Sequence, residues 1–304
     1  INTPKTAKKT YYYFFLGKHI SSSCFLDIPS IEVIDKVDIS IIEDKNLVIP
    51  EGIDSISCYG DLTEYHYYKE GLLYVKILNG NEIRFKCLSV FSEQILSNLL
   101  LNVPIGYCLY QKSKLVLHGS AIKFGDKSIA FIGESGSGKS SIAASLIKFG
   151  KIITEDICYI ELKEFDKPKI FSMPSYLKLN RKTINKLNLK FTKTSDIPFD
   201  RRNRFYCHLD RNNFSEYNDL NTIYLLKWGN QFKIYEPDIT ELFSFLNLCA
   251  FNCYPIDSCK KSNENLFQEL SQLLKKVKFY ILERNKNDFF NNNAALLKHI
   301  SDCP

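Results

Sequence analysis

Residues 133–140, Gly133-Glu134-Ser135-Gly136-Ser137-Gly138-Lys139-Ser140, satisfy the pattern G-x-x-x-x-G-K-[ST] in full, and no other stretch constrains the fold as strongly. Each member of the pattern has a physical task. Glycines let successive backbone N–H groups curl around phosphate oxygens, the lysine reaches the β and γ phosphates, and the closing hydroxyl can ligate Mg²⁺. Such a loop works between a strand and a helix. Both flanks fit: SIAFI ahead of it is a continuous apolar run, and SSIAASLIKFG behind it reads as a helix from Lys139 to about Phe149, with Gly150 suited to its C-terminal cap. A serine- and glycine-rich linker shares these letters but lacks the apolar flanks.

The rest of the chain sets the frame for that loop. Its 304 residues, 45% hydrophobic and 24% charged, belong to the globular class and suffice for two domains. The net charge of +6 comes from 40 basic and 34 acidic side chains with no long single-sign block, so it favours anionic ligands only weakly, and no nucleic-acid partner is expected. The densest basic run, Asp200-Arg201-Arg202-Asn203-Arg204, reads either as a phosphate patch or as solvated loop surface. Ten scattered cysteines without framework spacing fit a reducing, cytoplasmic setting. Cys249, Cys253 and Cys259 lack the tight pairs of a zinc site and read as buried thiols. The nearest approach to a membrane span, residues 95–109, is broken by Ser97, Asn98, Asn102 and Pro104, so no span is expected. The opening residues lack the apolar core of a signal peptide.

Patterning divides the chain into a β-rich N-terminal subdomain over 1–105, a loop-bearing α/β domain over 106–284 and an Asn-rich tail over 285–304 that is expected to be poorly ordered. In the first part, LYVKILNGNEIRFKC predicts a hairpin turning at Asn79-Gly80, and LSVFSEQILSNLLLN predicts a helix that Pro104 ends. In the second, strands are expected on either side of Gly125-Asp126. KIITEDICYIEL reads as two strands at a turn, residues 180–222 as a polar stretch, and TIYLLKWGNQFKIYE as a hairpin-like pair. Helical spacing returns in ITELFSFLNLCAF and NENLFQELSQLLKKV before a final strand, KFYILER.

An ATPase of the transporter type would carry an L-S-G-G-Q segment and an apolar run ending in Asp-Glu; neither is present. Instead an acidic pair, Glu155-Asp156, follows Ser140 closely. A helix, a turn and a returning strand would deliver these carboxylates to the sheet edge where ligands of open α/β folds sit. Neighbours on a regular strand face opposite ways, so both serve one site only if the strand ends or bulges there. The alternative is an exposed acidic turn.

The stretch LHGSAIKFGDKSIAFIGESGSGKSSIAASLIKFGKIITEDICYI resembles the catalytic core of the HPr kinase/phosphorylase-like family, including relatives that tailor peptides. The resemblance rests on Leu117-His118-Gly119, a hairpin, the loop with Glu134 at its acidic position, Gly150, and Glu155-Asp156. It implies a P-loop kinase core of HPr-kinase type, a mixed sheet with flanking helices. The chain departs from the bifunctional members in having Glu155 where they have aspartate. It also departs in having MPSYLKLNRKTI where they have a glutamate-arginine-glycine segment, a region more similar to the peptide-tailoring relatives. The phosphorylase half-reaction and HPr itself as substrate are therefore not carried over.

The resemblance implies ATP and Mg²⁺, with the nucleotide held by residues 133–140 and Ser141, and the metal near Ser140 and Glu155. Asp156 would be the base that accepts the proton of an acceptor hydroxyl. Lys139 would neutralise charge, and His118 would serve as general acid or phosphate contact. Arg202 and Arg204 offer cations for the transition state. A serine of a protein or peptide is the first expected acceptor. A small-molecule acceptor and a nucleotide-binding regulator stay open, because acceptor recognition lives on variable loops. The family's better-known members form rings, which leaves a homo-oligomer open.

Overall fold

The computed structural model describes residues 9–51, 56–61, 63–69, 71–173, 176–198, 200–209, 215–249, 260–286 and 292–303. The chain divides into two compact units, Ile1–Ser113 with Tyr254–Ser262, and Lys114–Cys253 with Asn263–Pro304.

The first unit holds β1 (Tyr11–Phe15), β2 (Lys18–Ser22), β3 (Ile39–Glu43), β4 (Ile56–Gly60), β5 (Glu64–Lys69), β6 (Leu73–Leu78) and β7 (Glu82–Cys87), then α1 (Glu93–Leu100) and α2 (Val103–Gln111). Its strands form one sheet in the order β1-β2-β3-β7-β6-β5-β4. The expected hairpin is β6–β7, with Asn79 and Gly80 at φ 50° and 64°, the positive angles that a tight turn between twisted strands requires.

Pro104 opens a helix rather than closing one. It sits in the first turn of α2, where a missing N–H costs nothing because that position has no intrahelical acceptor. The division into units falls after Ser113, and α2 belongs to the first unit. Gln111 accepts from Gly80 N at 2.7 Å and donates to Asp61 O at 3.2 Å, and Tyr107 stacks on Tyr65.

The second unit is α/β. In chain order it holds β8 (Leu115–Phe124), β9 (Lys127–Ile132), α3 (Lys139–Leu146), β10 (Lys151–Glu161), β11 (Lys169–Phe171), β12 (Tyr176–Asn180), α4 (Arg181–Leu187), β13 (Lys193–Asp196), β14 (Arg204–His208), β15 (Tyr217–Trp228), β16 (Lys233–Tyr235), α5 (Ile239–Cys249), α6 (Lys260–Lys276), β17 (Lys278–Arg284) and α7 (Asn293–Asp302). The main sheet runs β11-β10-β8-β9-β15-β17-β16. Its centre, β9-β15-β17, is parallel, and its flanks are antiparallel.

A strand buried on both faces reads as a nearly continuous apolar run, as β9 does. On one face Leu117, Ile132, Leu225 and Ile281 share a core with Leu246 of α5 and Leu270 of α6. On the other, Phe131, Tyr224 and Leu282 pack with Ile142 of α3 and Ile300 of α7.

Further expectations differ from the structure. KIITEDICYIEL is one irregular strand, β10, because its pairing with β8 continues to both sides of the irregularity. β15 and β16 are not partners; β17 lies between them, since it can pair parallel to β15 and antiparallel to β16. Residues 180–222 hold part of a three-stranded sheet, β12-β14-β13, whose apolar side chains Leu177, Leu179 and Cys207 pack on Ala143 and Ala144 of α3. The tail carries α7, which buries Leu296, Ile300 and Cys303 against the main sheet. Helix α3 stops at Leu146, slightly short of the expected Phe149. Cys249 is buried on α5, while Cys253 and Cys259 lie outside the described residues.

Candidate functional site

The loop 133–138 leaves the carboxyl end of β9 and enters α3, whose first residue is Lys139. Gly136 and Gly138 have φ of 91° and 87°, left-handed angles that turn the chain back on itself. Glu134, Ser135 and Gly136 form an exposed tip, while Gly133 and Ser137 are buried. Lys139 is also buried and donates to the carbonyls of Gly133 at 2.8 Å and Glu134 at 2.9 Å. Burial pulls its pKa down, against the opposing pull of Asp156 and Glu155. Ser140 and Ser141 follow on the first turn of α3, both partly buried.

The acids stand beside the loop because of strand register. Asp156 pairs with Gly119 of β8, and Gly119 pairs with Ile132, the last residue of β9 before the loop. Gly119 permits this approach: a Cβ there would come 2.2 Å from Ile132 Cδ1 and 2.9 Å from Cys158 Sγ. The register of β10 slips between Ile152 and Thr154, and Asp156 takes a φ of 65°, a left-handed angle within a strand. The strand irregularity that two adjacent carboxylates need is therefore present.

Glu155 is buried and accepts hydrogen bonds of 2.5 Å from Ser140 Oγ of α3 and from Ser120 Oγ of β8. Burial, then the neighbouring Asp156, pushes its pKa up to about 7. Asp156 makes a close ion pair with Lys178 Nζ, on the middle residue of β12, and both side chains are largely buried. Lys178 Nζ lies 5.9 and 5.8 Å from the ring centroids of Tyr176 and Tyr206, which pack edge to face on each other. Burial works against its charge, but Asp156 more than offsets it and its pKa rises. His118 Nδ1 donates to Asp156 O at 3.0 Å; burial first, then Lys139, pulls its pKa down to about 4.

Further cations surround the loop. Arg202 Nη2 donates to Ser135 Oγ at 2.9 Å. Arg204 is held by Asp200 through Nε and Nη2, with the Nη2 bond at 2.7 Å; burial opposes its charge, and Asp200 more than restores it. Arg284, at the end of β17 and 1% exposed, donates to Ser137 O at 2.6 Å. Trp228, at the end of β15, donates Nε1 to Gly136 O at 3.2 Å.

His118, Lys139, Ser140, Glu155 and Asp156 thus form one hydrogen-bonded or closely charged cluster. Arg202 lies against the loop tip, and Arg204 is engaged by Asp200. Lys178, Ser120, Trp228 and Arg284 went unnoticed in the sequence. In YLKLN the alternation of a strand sets Lys178 on the face opposite Leu177 and Leu179, which reads as an ordinary solvated position; nothing local marked it or Arg284. Among the described residues no group of three or more histidine, cysteine or acidic side chains could hold a metal by itself. Among them, too, no helix is long and apolar enough to cross a membrane.

No family model and no curated protein matches the chain. Among solved structures it is similar to the Hpr(Ser) kinase/phosphatase from Coxiella burnetii, at 9% identity and a TM-score of 0.30, over 61% of this chain and 95% of that one. A likeness that slight carries no argument about fold or activity.

Proposed function

We propose that the second unit binds ATP and transfers its terminal phosphoryl group to a hydroxyl, with serine of a protein or peptide as the first candidate acceptor. The observation that carries this is the 2.5 Å hydrogen bond between Ser140 Oγ and Glu155, with Asp156 next in the chain. It joins the last hydroxyl of the glycine-rich loop to an acidic pair. Phosphoryl transfer calls for charge neutralisation, in-line placement and a group that orients the nucleophile. Storage of a nucleotide needs no such pair.

Backbone N–H groups of the loop would receive the phosphates, and Lys139 would exchange the carbonyls of Gly133 and Glu134 for β and γ oxygens. Ser140 and Glu155 present a hydroxyl and a carboxylate side by side, hard oxygen donors that suit Mg²⁺. That ion takes few protein ligands and completes its shell with phosphate oxygens and water. When bound, Mg²⁺ would neutralise phosphate charge.

Asp156 would take the proton of the acceptor hydroxyl while the new O–P bond forms and the bond from phosphorus to the ADP oxygen breaks. Lys178 supports this role by favouring the ionised carboxylate. His118 is neutral at pH 7, given its lowered pKa, and its Nδ1–H is committed to Asp156 O, so Nε2 is an acceptor. It would therefore orient the Asp156 backbone rather than donate the proton. Arg202 touches the loop tip, and Arg204, although engaged by Asp200, lies near enough to Asp156 and Glu155 to feel their charge; either would supply a cation to the transferred group.

The experiment is transfer from γ-labelled ATP to serine peptides and to metabolite pools. Wild type should transfer, and Asp156→Asn should fall by about a hundredfold or more while binding ATP as before. Equal rates in the two proteins would place the base elsewhere. Binding of ATP without transfer to any acceptor would favour a nucleotide-binding regulator.

A further inference from the structure

The carboxyl edge of the main sheet has two sides with different chemistry. On one side of the loop, across β8, β10 carries Glu155 and Asp156; on the other, β15 and β17 end at Trp228 and Arg284, which are register partners. Trp228 is the only tryptophan of the chain and is half-buried. Its indole N–H is tied to Gly136 O, and a Cβ on Gly138 would lie 3.3 Å from its Cη2. The Arg284 guanidinium lies 4.8 Å from the ring centroid and Lys286 Nζ 5.9 Å. A large aromatic ring is thus fixed against the phosphate loop by its edge, on the side away from the acids.

From this arrangement we infer that Trp228 is the nucleobase platform of the site, a specificity-determining residue that makes the loop prefer a nucleoside triphosphate to a bare polyphosphate. The inference rests on the ATP-binding reading above. The polarity of the nucleotide follows from the strand order. A triphosphate whose γ end points toward Asp156 on β10 leaves its α end, and the nucleoside beyond it, on the β15 side. Stacking on an aromatic ring is tolerant of base identity because every base has a π face, so the ring supplies affinity without reading the base edge. Arg284 has a supporting role: it holds the Ser137 carbonyl and lies against the ring, so the loop and the platform move together.

The test uses the full chain with Mg²⁺ and compares ATP with inorganic tripolyphosphate by calorimetry and, in wild type, by fluorescence of the single tryptophan. Wild type should bind ATP about tenfold or more tighter than tripolyphosphate, the scale of one stacked base, with a change in tryptophan emission for ATP alone. Trp228→Ala should lose that preference, giving up far more affinity for ATP than for tripolyphosphate, whereas Trp228→Phe, which also lacks the indole N–H, should retain most of it. Equal loss of both ligands in Trp228→Ala would mean that the ring only props the loop, and the inference would be overturned. So would an equal affinity of wild type for the two ligands, with the phosphate-binding reading left intact. If wild type bound neither ligand, that reading would fall, and the platform with it.

Discussion

Asp156 and Lys178 form an ion pair between two sheets: the carboxylate comes from a left-handed residue of β10, and the ammonium from the centre of β12. β12 packs through Leu177 and Leu179 on the helix that follows the loop. The small sheet therefore brings a cation to the proposed base from a strand that lies far from it in the chain.

Removing that cation should alter the pH dependence of transfer, not only its rate. A largely buried carboxylate beside Glu155 and without Lys178 is easier to protonate. Lys178→Met should therefore lose activity at a higher pH than wild type as the solution is acidified. It should also be less stable by about 3 kcal/mol, because breaking a buried pair leaves an uncompensated charge. Lys178→Arg should restore most of the acid limb. A pH–rate profile for the three proteins decides it, and identical acid limbs would sink the idea.

Glu155 gives a stability signature in the absence of nucleotide and metal. Its folded-state pKa is raised from 4.5 to about 7, so the folded chain holds a proton that the unfolded chain releases. The corresponding stabilisation is complete below about pH 4.5 and is lost as pH rises through about 7. Glu155→Gln cannot release that proton. Relative to wild type it should gain about 2 kcal/mol between mildly acidic and mildly alkaline pH, read from urea unfolding at each pH. Parallel stability curves for the two proteins would contradict this.

Gly119 is expected to be the most sensitive glycine of the sheet. An alanine methyl there meets Ile132, Cys158 and the Phe131 carbonyl at 2.2 to 2.9 Å, so the strands must separate just where Asp156 is held. Gly119→Ala should cost about 2 kcal/mol and reduce transfer. Gly125→Ala has open space around it and a strained φ of 58° as its sole penalty; it should cost about 1 kcal/mol and leave the site unaffected. Thermal unfolding together with transfer rates separates the two.

Helix α7 should be a structural part of the second unit. Leu296 and Ile300 are 1% and 2% exposed against Phe131, Tyr224 and Leu282. Ile300→Ala should destabilise the unit by about 3 kcal/mol, seen as a lower urea midpoint with nucleotide affinity retained in the folded protein. A midpoint equal to that of wild type would mean that the helix does not hold this packing in solution.

The sequence by itself determined the local chemistry. G-x-x-x-x-G-K-S between an apolar run and a helical run specified a strand, a turning loop and a helix, because glycine torsions and hydrophobic periodicity are properties of adjacent residues. Asn79-Gly80 fixed a hairpin for the same reason. The sequence also carried Glu155 and Asp156 close behind Ser140, but whether two adjacent carboxylates could share one site depended on the backbone of β10, and only the folded register answered that.

Everything contributed from far along the chain was decided by the tertiary structure. Lys178 reaches Asp156 from β12, Trp228 and Arg284 reach the loop from β15 and β17, and no spacing rule links them to residue 139. The same holds for α7, whose Asn-rich approach reads as a loose tail until the sheet offers Leu296 and Ile300 a surface to cover. Local patterns fix torsions and amphipathic faces. Which buried charge meets which partner is set by strand order and by the burial that makes an unpaired charge too costly to leave.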